Sequence, residues 1–139
     1  MSQNVRHLTS KQRKQITQMA EQARAALSRF AGREIAYNPS ALQLLDEWVD
    51  RHLKQFPDPS RKIRLLWASF LGEILRRHHE GRWVMLGNGR AELTVSCLTG
   101  SGQTHNVNVS SLVDQRVEQG MAAALSYAYT MTAIELKAR

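Results

Sequence analysis

The stretch from Ile63 to Leu75 leaves this chain the fewest options. Ile63, Leu66, Trp67, Phe70, Leu71, Ile74 and Leu75 recur at steps of three and four, the spacing of one helix surface. The arc between them holds Ala68, Ser69 and Gly72, which are small. A helix that is apolar on most sides and small on the rest needs neighbours around it. Gly72 inside such a helix costs about 1 kcal/mol relative to alanine, which the close approach of a neighbouring backbone would offset. The expectation is a central helix from Pro59 to His79, opened by Asp58-Pro59 and stopped by Gly81. Arg76, Arg77, His78 and His79 fill its last turn, where positive charge suits the helix dipole.

Two helices precede it. Ile16, Met19, Ala20, Ala23, Leu27 and Phe30 line one face of a helix from Ser10 to Ala31, with Gly32 as its stop. Asn38 is a good cap and Pro39 suits a first helical position. Tyr37 is placed to staple onto Leu42. Leu42, Leu45, Val49, Leu53 and Phe56 then share a face, and Pro57 ends that helix.

After Gly81 the period changes. Trp83–Leu86 is a short apolar run, and Gly87-Asn88-Gly89 reads as a turn. Ala91, Leu93, Val95 and Cys97 alternate with Glu92, Thr94 and Ser96, the pattern of a half-buried strand. Gly100-Ser101-Gly102 is a second turn, and His105, Val107 and Val109 alternate in a third strand. Ser111-Leu112-Val113-Asp114 resembles a capping box opening a fourth helix. Gly120 interrupts it, and a last helix runs from Met121 to Leu136, rich in alanine and carrying Leu125, Tyr129 and Ile134. The class is α+β: three N-terminal helices, a small antiparallel sheet of about three strands, and C-terminal helices. With 139 residues, no repeat and no linker, the chain reads as a single domain over 1–139.

Charge is unevenly spread. The formal net charge is +7, and residues 1–37 carry seven basic side chains against two acidic. Lys11, Arg13, Lys14 and Arg24 on the first helix are therefore the candidates for contact with phosphates. Such runs are more often solvated helix faces. The single cysteine, Cys97, cannot form an internal disulfide, which favours a reducing compartment. No secretory signal or membrane-length apolar stretch is visible, so a cytoplasmic, non-membrane protein is expected.

Catalytic signatures are sparse. His78 and His79 are adjacent, so they point about 100° apart on a helix and are poorly placed to share a metal ion. Cys97 has inward parity, which predicts a buried, unreactive thiol. Asp46, Glu47 and Asp50 read as a solvated polar side of the second helix. Glu73 is different, because it lies on the apolar line of Leu66 and Phe70. A buried carboxylate needs a partner. Arg77 is available at i+4, and Arg116 from a later helix. A salt bridge that fixes the helix is the expected role, with general acid/base chemistry at Glu73 the alternative.

Phe70-Leu71-Gly72-Glu73-Ile74-Leu75-Arg76-Arg77, followed by Gly81-Arg82-Trp83-Val84 and by Val113-Asp114-Gln115-Arg116-Val117-Glu118-Gln119-Gly120, resembles an uncharacterised bacterial domain of unknown function. That domain has a Leu-Gly-Glu helix, a Gly-x-Trp step into a strand, and a Val-x-x-Arg-x-x-x-Gly helix. The resemblance spans about residues 40–130. It implies architectural roles for these residues and no catalytic residue, metal or cofactor. The expectation is a non-catalytic accessory or protein-interaction protein of the immunity or adaptor type, acting with a protein partner or as a homodimer. Nucleic-acid binding through the basic first helix and an enzyme using Glu73 are the alternatives.

Overall fold

A computed structural model describes residues 5–86 and 92–139. The order is β1 (Val5–His7), α1 (Ser10–Ala31), α2 (Ala41–Gln55), α3 (Arg61–His78), β2 (Arg82–Leu86), β3 (Glu92–Leu98), β4 (Thr104–Asn108), α4 (Val109–Gln119), a 3-10 turn over Gly120–Ala123, and α5 (Leu125–Ala138). The class is α+β, with five helices and a four-stranded antiparallel sheet in the order β1-β2-β3-β4. The expected turn at Gly87-Asn88-Gly89 and residue Ala91 lie outside the described residues.

Helix α3 is the hub. Every residue from Trp67 to Leu75 is buried. It packs against α1, α4, β2 and β3. Gly72 is needed there for a reason other than a neighbouring backbone. A Cβ at Gly72 would come within 2.0 Å of the Trp83 indole, so the small residue makes room for the ring that enters from β2.

Helix caps depart from the sequence reading in instructive ways. Thr9 caps α1 and forms a capping box with Gln12. Ser60, not Asp58, caps α3 by accepting from the Ile63 amide. Helix α2 starts at Ala41, after a turn in which the Ala41 amide donates to the Asn38 carbonyl. Asn38-Pro39 is thus part of the turn and not the helix. Tyr37 packs on Phe70, with ring centroids 5.5 Å apart. At the end of α3, Glu80 takes the left-handed conformation (φ 47°), and the Gly81 amide bonds to the Arg76 carbonyl. Gly81 is small because a Cβ would lie 2.6 Å from Val95 and 2.9 Å from the Arg76 backbone.

In the sheet, Trp83 pairs with Val95 and Val95 with Val107. Leu93, Val95, Cys97 and Val107 are buried as their parity requires. Thr94 and Val84, of the other parity, are buried as well, so the centre of the sheet is covered on both faces. The short edge strand β1 pairs with β2. Its polar sequence carries no alternation that would announce it. Val109 is not strand: it begins α4, which Asn108 caps by accepting from the Ser111 amide. Gly120 does interrupt the C-terminal helices, with φ at +67°.

Candidate functional site

Three features could carry function: two buried carboxylate clusters and one exposed apolar helix face. The first is built on α3. Glu73 is 1% exposed. Arg77, four residues on, donates from Nε to Glu73 Oε1 at 3.0 Å. Arg76, which the sequence reading left out, donates from Nε to both carboxylate oxygens at 3.1 Å. The Trp83 indole N–H donates to Oε2 at 3.1 Å. Burial raises the Glu73 pKa, but the bonds from Arg76, Arg77 and Trp83 outweigh it and hold the carboxyl below its ordinary value.

This cluster extends outward. The Arg77 guanidinium lies 4.2 Å from the centroid of Tyr37, a cation–π contact. The Tyr37 hydroxyl donates to Glu21 at 3.0 Å. Glu21 also accepts from Arg24, which pairs with Glu34 and donates to the Ile35 carbonyl at 2.8 Å. A polar chain therefore runs from β2 through α3 to α1 and the segment leading into α2.

Arg24 is spent in that chain. Its guanidinium has the carboxylates of Glu21 and Glu34 as partners. Arg13 donates to the Leu8 carbonyl and to Ser10, closing the start of α1. Lys11 and Lys14 are exposed.

The second cluster is built on α2. Asp46, expected to be solvated, is 2% exposed. Its Oδ1 accepts from Arg116 Nε at 3.0 Å and from the Leu125 amide at 2.9 Å. Its Oδ2 accepts from the amide of Ser126 at 3.1 Å and from its hydroxyl at 2.9 Å. Helix α5 has no cap from its own Ala124, so Asp46 caps it from α2 and places negative charge at its N-terminus. Arg116, fully buried, also bonds Asp50 and the Asp46 carbonyl. The tie expected between Glu73 and Arg116 is replaced by this one, because Arg116 projects from the last turn of α4 toward α2. The signal that could have exposed Asp46 was missing from its own helix: its partners lie 70 to 80 residues away.

The remaining candidates are quiet. Cys97 is buried, and burial pushes its thiol up to about 11. His78 Nε2 lies 3.0 Å from the Tyr37 carbonyl and His79 Nε2 lies 2.9 Å from the Tyr129 hydroxyl. Among the described residues no three His, Cys, Asp or Glu side chains converge as a metal site. A hollow of about 410 Å³ lies between the start of α3 and α4, where Arg64 bridges Asp58 and Asp114. No described helix is long and apolar enough to cross a membrane.

The third feature is the outer face of α5. Tyr127, Met131 and Ile134 are 60%, 47% and 57% exposed, and they recur at i, i+4 and i+7, so they form one stripe. Met121, just before the helix, is 56% exposed. The opposite face buries Leu125, Tyr129 and Leu136. Ile134, nine residues on from Leu125 and so on the opposite side of the helix, faces out.

No protein-family model and no curated protein matches the chain. A crystal structure from Bacteroides thetaiotaomicron VPI-5482, at 1.50 Å resolution, has a similar fold, with a TM-score of 0.75 and 15% identity. The match covers 96% of this chain and 48% of that one, so the present chain spans about half the length of its neighbour.

Proposed function

We propose that the chain is a non-catalytic accessory protein of the immunity or adaptor type, which works in the cytoplasm by binding another protein through the outer face of α5. The observation that carries this reading is the stripe of Tyr127, Met131 and Ile134, exposed on a helix whose other face is core. An apolar surface held open to water on a folded chain is what a protein contact uses. The enzyme alternative draws little support. Both oxygens of Glu73 and of Asp46 accept hydrogen bonds from the protein itself, which leaves neither carboxylate free to take a substrate proton.

The test compares immobilised wild type with Met131→Lys and with the double substitution Lys11→Ala/Lys14→Ala. Retention of protein from an extract, copies of this chain included, should fall in Met131→Lys and persist in the lysine variant. Equal retention by wild type and Met131→Lys would remove the face from the role. Binding that follows Lys11 and Lys14, and collapses as salt rises, would identify nucleic acid as the partner.

A further inference from the structure

We infer that the occupant of this face is a second copy of the chain, with the two α5 helices antiparallel about a two-fold axis near Met131. The inference rests on the reading of α5 as a contact surface and adds the identity of the partner. Three observations lead to it.

The first is charge. From Gln119 to Ile134 the sequence has no charged residue, in a chain of net charge +7 whose excess lies at the N-terminal end. A partner selected by charge would be drawn to the basic end and would find nothing to complement between Gln119 and Ile134. Two like-charged copies approach with least repulsion where each is neutral. An isologous contact asks only that one patch match itself.

The second is the spacing. An antiparallel pair that exchanges positions about residues 130 and 131 sets Tyr127 of each copy against Ile134 of the other, with Met131 near the axis. A ring against a branched aliphatic chain gives a large apolar contact, and the two flexible thioethers between can adapt to fill the remaining space. The charged tail of α5, Glu135, Lys137 and Arg139, decides the direction. Parallel helices would set each of these beside its own like charge. Antiparallel helices hold the two copies of Lys137 apart by about 20 Å at 1.5 Å per residue, beyond the screening length of about 8 Å.

The third is area. The exposed parts of Tyr127, Met131 and Ile134 amount to roughly 350 Å² of surface, within the range of the largest apolar patch a lone chain leaves. A standard interface takes about 800 Å² from each partner. The stripe supplies somewhat under half, which fits a small, reversible contact at the low end of interface sizes.

The experiment is sedimentation equilibrium of the full chain from about 1 to 300 μM, with Tyr127→Lys and Ile134→Glu run alone and mixed. These side chains are exposed, and circular dichroism checks that each variant is folded. Wild type should pass from monomer to dimer across this range, and each single variant should weaken association at least about tenfold. Mixing the two variants should restore a dimer, since one antiparallel contact then sets the introduced lysine against the introduced glutamate and the other keeps the native pair. Single variants that weaken association with no rescue on mixing would overturn the antiparallel arrangement. A wild type that stays monomeric throughout would overturn the second-copy inference. Retention of a different protein that depends on Met131 would then keep the broader contact reading, and its absence would end both.

Discussion

Glu73 and Asp46 are both buried carboxylates, and they are held in opposite ways. Glu73 draws its partners from its own helix and the strand that follows, at separations of three, four and ten residues. Its arginines are 38% and 49% exposed in their side chains, so water reaches them from the other side. Asp46 draws its partners from α4 and α5, and its arginine is fully buried. The first cluster stiffens one helix against the sheet. The second gathers α2, α4 and α5 around one charge.

The largest effect should therefore come from Asp46→Ala. It leaves the Arg116 guanidinium buried, with the half-exposed Asp50 carboxylate as a partner beside the carbonyl of residue 46 and the Met121 sulfur, and strips the cap from α5. A loss of about 3–5 kcal/mol in urea unfolding is expected. Arg116→Met should cost less, since Asp46 keeps the donors of Leu125 and Ser126. A loss in Asp46→Ala no greater than in Glu73→Gln would erase the contrast.

Glu73→Gln should cost about 1.5–3 kcal/mol, the worth of hydrogen bonds made by a charged group, because Arg76 and Arg77 can turn to solvent. The double variant Glu73→Gln/Arg116→Met sharpens the comparison. The two clusters share no partner, so the losses should add within about 0.5 kcal/mol. Strong coupling would mean that Glu73 and Arg116 act as one unit after all.

Gly72→Ala attacks the Glu73 cluster sterically. Its methyl would displace the Trp83 ring and the indole bond to Glu73, at a cost of about 1–3 kcal/mol. The check is a change in tryptophan fluorescence beside the loss of stability.

Acid should separate the groups by pH. Glu73 has a folded pKa below its ordinary value of 4.5, so the stability it supplies is present above that pH and lost as pH falls below it. His79 is held below 6.5 by burial, and by the charges of His78 and Lys137. The unfolded chain takes up that proton first, so its loss begins near pH 6.5 and runs lower. Melting temperature against pH should lose its lower step in Glu73→Gln and its upper step in His79→Gln. The smallest effect concerns Cys97: a thiol reagent at pH 8 should label it only as fast as the chain unfolds.

Local periodicity was enough to reveal α1 and the apolar length of α3, the alternation of β3, and the odd position of Glu73. Each of these signals is carried by residues within a turn or two of one another, where geometry follows from spacing. The burial of Asp46 had no such signal, since a carboxylate followed by Glu47 and, four residues on, Asp50 reads as surface until Arg116 and the start of α5 arrive from far along the chain. The edge strand β1 is three residues long and gains its ladder only from β2. Spacing sorts α5 into one face with Leu125, Tyr129 and Leu136 and another with Tyr127, Met131 and Ile134, but both are apolar, and which one is buried is set by the contacts of α5 with α2 and α4 and by the Asp46 cap. Spacing along the chain thus decides most of the helices and strands, and it makes α3 central. Which charges are buried, and which apolar face stays in water, is settled by long-range packing, because both depend on partners that folding brings together across 70 residues or more.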